Sequence, residues 1–228
     1  MTVHVHDKTI RSDALLIQHL GSEALLCEHI GALDLALQAR FWAFAESVAA
    51  WDHVAEVVPG MNNLMVVLRP SCSSPEGVAA QLAQAWPAVL PATVCGAVVE
   101  VPVDYGGEGG PDLHAVARHA GLSVHEVAEI HASRDYTVYC LGAHPGFGYL
   151  GGLDARIHTP RLDKPRFNVP AGSVAIGGMQ TGIIAAEGPS GWQLIGRATL
   201  DFFDPHRTPP TLLSPGDTVR FRINRVVA

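Results

Sequence analysis

Four arginines lie close together in the C-terminal half of a chain that is acidic as a whole. They are Arg156, Arg161, Arg166 and Arg197, in a protein with 22 acidic and 15 basic side chains. A guanidinium fork matches the oxygens of a carboxylate or a phosphate, so a small carboxylated amide or a nucleotide phosphate would suit these side chains. The alternative is that each arginine pairs with an acid close in sequence: Asp154, Asp163, Glu187 or Asp201.

Amide, hydroxyl and aromatic side chains of the same stretch could complete a binding groove. Gln180 and Thr181 stand between Gly178 and Gly182 and offer an amide and a hydroxyl to a planar amide ligand. Phe147 could line that groove, or it could fill the core instead. The predicted substrate-binding set is therefore Arg156, Arg161, Arg166, Arg197, Gln180, Thr181 and Phe147.

Two histidines are candidates for acid–base catalysis. His144 lies in a loop beside Pro145 and Gly146, whose constrained backbone can aim the ring into a groove. His131 ends a predicted helix, and the negative end of the helix dipole favours the charged ring. The alternatives are a surface loop histidine at position 144 and a helix-capping histidine at position 131.

Other catalytic and metal-binding motifs are missing from the sequence. No Gly-x-x-x-x-Gly-Lys-Ser/Thr or Gly-x-Ser-x-Gly segment occurs, and Ser173 is expected to hydrogen-bond within its loop. The four cysteines form no Cys-x-x-Cys pair and the twelve histidines no zinc pattern, so we expect no metal on this chain. The net charge of −7 argues against a nucleic-acid partner.

The elements that must position these side chains are short. Residues 141–197 hold 12 of the 23 glycines, and prolines recur through the same segment. This composition predicts short strands, such as 173–176 and 192–195, joined by tight loops. Such a segment is expected to form a β-sheet wall that carries a surface.

The N-terminal part is predicted to be a small α+β domain, residues 1–91. Alternating and apolar runs predict strands at 15–20, 24–28, 54–58 and 64–68. An amphipathic stripe predicts a first helix through Leu33, Leu37, Phe41, Phe44, Val48 and Trp51. A second helix is expected to start at Ser74-Pro75, where the serine caps the first turn.

The second predicted domain, residues 92–228, is rich in β structure and contains an inserted helix pair at about 111–132. Strands are predicted at 93–103, 136–141 and 218–226. Ser123 and Glu126 have the spacing of a capping box, and Gly121 is placed to end the preceding helix. A helix pair can bind DNA, but Glu126 and Glu129 would repel phosphate.

Several long motifs resemble a known family. They read PGFGYLGGLDARIHTPRLDKPRFNVPAGSVAIGG from Pro145, QTGI from Gln180 and GPSGWQLIGR from Gly188. Their order is similar to that of the allophanate hydrolase first-subunit family, which includes subunits of prokaryotic 5-oxoprolinase and a sporulation histidine-kinase inhibitor. Two positions depart from the family pattern: Gly148 replaces a proline, and Ile184-Ala185 replaces Tyr-Pro. His131 matches a position where family members often carry histidine, whereas His144 does not.

The resemblance implies a fold, an activity and partners. The fold would be a small α/β N-terminal domain followed by a cyclophilin-like β-barrel, an α+β class. The activity would be ATP-dependent opening of 5-oxo-L-proline to glutamate, by a complex with a C-type subunit and an A-type subunit, with ATP shared with or carried by the partner. The alternatives are a histidine-kinase inhibitor and a subunit for urea or allophanate metabolism. Apolar runs too short for a membrane span, and no signal-peptide pattern, predict a cytoplasmic protein.

Overall fold

The computed structural model describes residues 10–12, 15–32 and 34–228, and the chain divides into two compact units between Val94 and Cys95. Leu33, which the sequence places on the first helix stripe, lies outside the described residues. Among the helices in the described part of the chain, none combines the length and the apolar character that a membrane span requires.

The N-terminal unit is an antiparallel five-stranded sheet with two helices. Its strands are β1 (Ile10–Ser12), β2 (Leu15–Leu20), β3 (Ala24–His29), β4 (Val54–Pro59) and β5 (Asn63–Leu68), in the order β1-β2-β3-β5-β4. The helices are α1 (Leu35–Ala49) and α2 (Pro75–Ala85). The predicted hairpin, the two later strands and both helices of this unit are confirmed, except that α1 ends at Ala49, before the predicted stripe residue Trp51.

Helix α1 forms because its apolar residues fall on one face and Asp34 caps its start, accepting from the Leu37 N–H at 2.8 Å. Phe41 and Phe44 are fully buried and their rings contact Trp86, with centroids 4.8 and 5.2 Å apart. The Ser74 side chain caps α2 as predicted. These rings pack in the apolar core of the small unit together with aliphatic side chains of its strands, such as Ile17 and Leu64.

The C-terminal unit is built on a closed seven-stranded barrel. Its strands are β6 (Val98–Gly106), β7 (Asp135–Leu141), β8 (Gly148–Gly151), β10 (Ser173–Gly177), β11 (Gln180–Ile183), β13 (Gln193–Ala198) and β14 (Thr218–Val227), in the order β10-β11-β8-β7-β14-β6-β13. The pair β6–β14 is parallel and the other pairs are antiparallel. A separate ribbon joins β9 (Arg166–Val169) to β12 (Gly188–Ser190). The predicted barrel after a small α/β unit is confirmed.

One strand boundary differs from the prediction. The strand expected at 93–103 begins only at Val98. The segment before it is held by side-chain and close backbone contacts instead: the Ala97 N–H donates to Asp217 at 2.8 Å, and a Cβ on Gly96 would lie 2.1 Å from the Gly216 carbonyl oxygen. These contacts take the place of the regular backbone hydrogen bonds between strands.

Helices α3 (Leu113–Ala120) and α4 (Val124–Ala132) pack on the barrel. Ser123 and Glu126 form the predicted capping box, and Gly121 ends α3 with a φ of 69°. Buried side chains of both helices belong to the barrel core, among them Leu113, Val116 and Val127. The pair is thus an integral wall of the C-terminal unit.

The barrel strands separate two apolar clusters, because successive side chains point to opposite faces. On β10, Val174 and Ile176 lie in the barrel core, whereas Ala175 belongs to a second cluster with Phe147, Trp192 and Leu194. The second cluster lies on the outer face of the barrel. Each of the two faces carries one of the histidines that the sequence singles out.

Candidate functional site

His131 lies in the barrel core with no solvent exposure. The Thr181 hydroxyl donates to the Ala175 carbonyl at 2.9 Å, so it accepts from His131 Nε2–H at 2.8 Å. Because burial lowers the pKa of His131 and keeps the ring neutral, Nδ1 then accepts from the Tyr105 hydroxyl, 2.7 Å away. The proton of the neutral ring therefore lies on Nε2, and both ring nitrogens are satisfied.

Burial lowers the pKa of His131 to about 3, since desolvation penalises the charged ring. The expectation that the helix dipole favours a charged His131 is wrong, because burial outweighs the dipole. The ring also lies 4.4 Å from the Phe221 ring, between centroids. Its catalytic role stays a prediction, and its surroundings favour a structural role.

The outer face of the barrel carries a concave site, which we call the outer pocket. It has a volume of about 180 Å³, and the side chains that matter for its chemistry are His144, Phe147, Tyr149, Arg161, Ser190 and Trp192. The three aromatic rings pack edge to face, with centroids 4.8 to 6.1 Å apart. They supply the apolar part of the pocket lining, which we call the aromatic floor and against which a small ring can pack.

Two glycines, one on β10 and one on β11, leave the space that the Trp192 indole occupies, which we call the Trp192 seat. A Cβ on Gly177 would lie 2.5 Å from the indole, and one on Gly182 would lie 3.2 Å from it and 3.0 Å from the Phe147 ring. The indole can therefore approach the sheet backbone closely. Glycine inside a strand indicates a close approach, so Gly177 and Gly182 could have marked this part of the sheet as a packing site, though not Trp192 as the residue that packs there.

His144 is held by a strained turn at the rim of the outer pocket. Its N–H donates to the Gly142 carbonyl at 2.7 Å across Ala143, which has a φ of 60°. This is a three-residue γ-turn with a non-glycine residue in the left-handed region, an arrangement that costs about 1–3 kcal/mol. Strain of this kind is found where a side chain must be held in one orientation. His144 also borders a second depression of about 420 Å³.

The four arginines have different surroundings. Arg156 bonds Asp154 through two nitrogens, at 3.0 and 2.8 Å, so the predicted ion-pair alternative holds for it. Arg166 forms a fork with Asp112, at 2.7 and 2.8 Å. These two guanidinium groups are occupied by structural partners.

Arg161 and Arg197 differ from that pair. Within the described residues, neither forms an ion pair with an acid. The Arg161 guanidinium lies over the Trp192 ring, 5.4 Å from its centroid, in the outer pocket. Arg197 is exposed on β13, where its Cβ lies 2.9 Å from the position that a Cβ on Gly109 would take. Of the four arginines, it is Arg161 that joins His144 in the pocket.

The predicted pair Gln180 and Thr181 is divided by the sheet. Thr181 is fully buried and serves His131 in the barrel core. Gln180 is half-buried and outside the set that lines the outer pocket. The structure therefore brings together His144, Phe147 and Arg161 of the predicted site residues, and the sequence analysis did not assign Trp192 and Ser190 to it. Roles in binding stay predictions for all of them.

Acidic and histidine side chains do not converge into a metal site anywhere in the described residues. Ser173 bonds the Pro170 carbonyl at 2.8 Å, the loop contact expected for it. Burial raises the pKa of the Cys27 and Cys140 thiols to about 12, so neither is a ready nucleophile. The chemistry available here is binding through rings, a guanidinium, an imidazole and hydroxyls.

Comparisons with known proteins agree with this fold. Residues 15–213 match the family model described as carboxyltransferase domain, subdomain C and D. The B-type 5-oxoprolinase subunit of Escherichia coli O157:H7 is 48% identical over 187 residues, which are 82% of this chain and 86% of that protein. The B-type 5-oxoprolinase subunit of Haemophilus influenzae is 42% identical over 189 residues, which are 83% of this chain and 88% of that protein.

Solved structures extend the likeness to longer proteins. The Kluyveromyces lactis urea carboxylase matches with a TM-score of 0.78 over 95% of this chain and 23% of its own, at 19% identity, which indicates a shared fold alone. Another solved chain matches with a TM-score of 0.75 and 34% identity, and this chain spans 40% of it. The fold can therefore form part of a larger polypeptide.

Proposed function

Since the chain belongs to the family of carboxyltransferase domains, subdomains C and D, we propose that it is the B-type component of a 5-oxoprolinase. The reaction is the ATP-dependent opening of the lactam 5-oxo-L-proline to glutamate. The observation that carries this proposal is the 48% identity to the E. coli protein over 86% of its length. A complex with a C-type and an A-type subunit is part of the proposal.

The outer pocket is the surface that we assign to the lactam. A flat five-membered ring fits the floor of Phe147, Tyr149 and Trp192, and the volume of about 180 Å³ suits one small ring. His144, held by its γ-turn, is placed to hydrogen-bond an amide oxygen or nitrogen at the rim. This chain would then bind and orient the lactam and exclude water from one side of it.

Neither the outer pocket nor the wider depression next to it fits ATP. The outer pocket is smaller than the range of about 300–1,000 Å³ typical for larger ligands. The wider depression is lined by Leu141 to Gly146 and Thr211, which include no lysine or arginine for the phosphates. We therefore propose that a partner subunit binds the ATP. A cytoplasmic location stays a prediction.

The alternatives rest on less. A histidine-kinase inhibitor would use the barrel face to dock a kinase, but the curated relatives at 42–53% identity are named as 5-oxoprolinase subunits. Urea or allophanate metabolism is suggested by the urea carboxylase likeness, which at 19% identity concerns the fold only.

Reconstitution tests the proposed function. The chain is co-expressed with a C-type subunit, the complex is purified, the A-type subunit is added, and glutamate released from 5-oxo-L-proline is measured with and without ATP. We expect ATP-dependent release that needs every subunit. A stable complex that consumes no lactam would contradict the proposal.

Variants sharpen the assay. His144→Ala in the pocket should slow glutamate release by roughly 10²-fold, because the proposed hydrogen bond to the lactam is lost. His119→Ala is the matched control, because His119 is exposed on α3, away from the pocket, and it should leave the rate unchanged.

A further inference from the structure

We propose that Arg161 is a carboxylate-binding residue, which makes the outer pocket specific for small cyclic ligands that carry a carboxylate beside the amide. This inference rests on the proposed function and deepens it. It names the group that would separate 5-oxoproline from neutral amides of similar size.

First, the guanidinium of Arg161 is available to a ligand in the outer pocket, unlike those of the other candidate arginines. The guanidinium groups of Arg156 and Arg166 are each paired with an aspartate, and Arg197 lies outside the pocket lining. Arg161 lines the pocket and, in the part of the chain that the structure describes, has no acid as a partner. Its five N–H donors are therefore available for a ligand that offers two oxygens.

The second argument is the charge of the site. The described residues that line the outer pocket include Arg161 and His144 but no aspartate or glutamate. A pocket with a cation and no acid attracts anions, in contrast to the acidic chain as a whole. The local charge therefore favours an anionic ligand over a neutral one.

The third argument is the position of the guanidinium above the floor. It lies 5.4 Å from the centroid of the Trp192 ring, a cation–π distance, and the N–H edge of the guanidinium has no acid as a partner in the described residues. A planar ring on the aromatic floor would place its carboxylate beside this edge. The ligand class is thus a monocyclic carboxylate with a planar amide.

Three probes separate the groups that the pocket could recognise. 5-Oxo-L-proline carries both lactam and carboxylate, 2-pyrrolidinone has the lactam only, and cyclopentanecarboxylate has the carboxylate only. Binding is measured by calorimetry on the isolated chain and on its purified complex with the C-type subunit. We expect 5-oxo-L-proline to bind about 10- to 100-fold more tightly than 2-pyrrolidinone, since a charged hydrogen-bonded pair contributes on that scale.

Variants assign the preference to one side chain. Arg161→Gln should weaken binding of 5-oxo-L-proline by about 10- to 100-fold and leave 2-pyrrolidinone unaffected. Arg161→Lys keeps the charge without the fork and should lose only part of the preference. Arg118→Gln, on the exposed face of α3, is the matched control and should change neither affinity. An unchanged urea midpoint for each variant establishes that it is folded.

The outcomes distinguish this inference from the proposed function. Carboxylate binding through Arg161 without glutamate release by the reconstituted complex would remove the 5-oxoprolinase proposal and support the site. Glutamate release with an Arg161→Gln variant that still prefers 5-oxo-L-proline over 2-pyrrolidinone would overturn the site and support the enzyme. Failure of all three probes to bind either the chain or the complex would also overturn the site.

Discussion

The barrel core and the outer pocket hold similar side chains in opposite circumstances. In the core, His131, Tyr105 and Thr181 form a closed chain in which each donor and acceptor is matched. At the pocket, His144 stands on a strained turn and Arg161 has no described acid partner. A histidine beside a hydroxyl is therefore not by itself a sign of catalysis.

The difference shows which side chains still have hydrogen-bonding groups available for a ligand. Buried polar groups whose hydrogen bonds are all made stabilise one conformation and are costly to disturb. Polar groups without a partner, next to apolar side chains, can bind a ligand instead. Changes in the core should thus alter stability, and changes at the pocket should alter binding. The following predictions test that division, beginning with the largest effect.

Removing the buried ring should cost the most. His131→Ala leaves a cavity and leaves the Tyr105 hydroxyl without its acceptor, so we expect a loss of about 3–5 kcal/mol in the free energy of unfolding. Urea denaturation measures it. His144→Ala is the comparison and should change the same quantity by less than about 0.5 kcal/mol. Equal losses for the two variants would contradict the division.

Filling the seat of Trp192 should have the next largest effect. Gly177→Ala places a Cβ 2.5 Å from the indole, which must shift, at a cost of about 1–3 kcal/mol in stability and with weaker ligand binding. Gly31→Ala, outside the pocket lining, is the matched control, because its Cβ would meet its nearest neighbour, the His29 ring, at an ordinary 3.4 Å. Denaturation and calorimetry on both variants check this, and a tolerated Gly177→Ala would refute the seat.

Acid should weaken the core through His131. Its folded pKa of about 3 lies below the ordinary value of 6.5, so the unfolded chain binds the proton first and stability falls as the pH drops below 6.5. Between pH 7.5 and 5.5 this contribution amounts to about 1.4 kcal/mol. Denaturation at both pH values, in wild type and in the non-titrating His131→Gln, isolates it. The same pH dependence in both proteins would exclude His131 as its source.

Relaxing the γ-turn should have the smallest effect on stability. Ala143→Gly removes the left-handed strain but adds backbone freedom, so we expect a gain of at most about 1 kcal/mol. The affinity for 5-oxo-L-proline should fall, because His144 is held less firmly. Thermal denaturation and calorimetry test the two halves of this prediction, and tighter binding would show that the strain serves no positioning role.

The sequence predicts helices and strands more reliably than it predicts which distant side chains pair with each other. The capping box at Ser123 and the glycine at 121 act locally, and both are found as expected. The partner of Arg166 is Asp112, 54 residues away, on another element. Long-range pairing of this kind depends on the closed barrel, which no local pattern specifies.

Long-range packing also explains why the sequence did not predict the surroundings of His131. Position 131 at a helix end suggests a charged, exposed ring, but the packing of α4 on the barrel places it in the core. The side chains of the neighbours Gln180 and Thr181 point to opposite faces because the two residues follow one another on a strand. Sequence spacing near a glycine pair could not decide which face each would serve.

Nuclear magnetic resonance of the imidazole groups tests the central claim most directly. Ring resonances of His131 and His144 can be assigned with His131→Gln and His144→Gln variants, then followed as the pH is lowered from 7.5 to 5.5 and as 5-oxo-L-proline is added. The account predicts that His131 stays neutral, with its proton on Nε2, and does not respond to the ligand, whereas His144 does. A His131 ring that titrates near 6.5, or one that responds to the ligand while His144 does not, would contradict it.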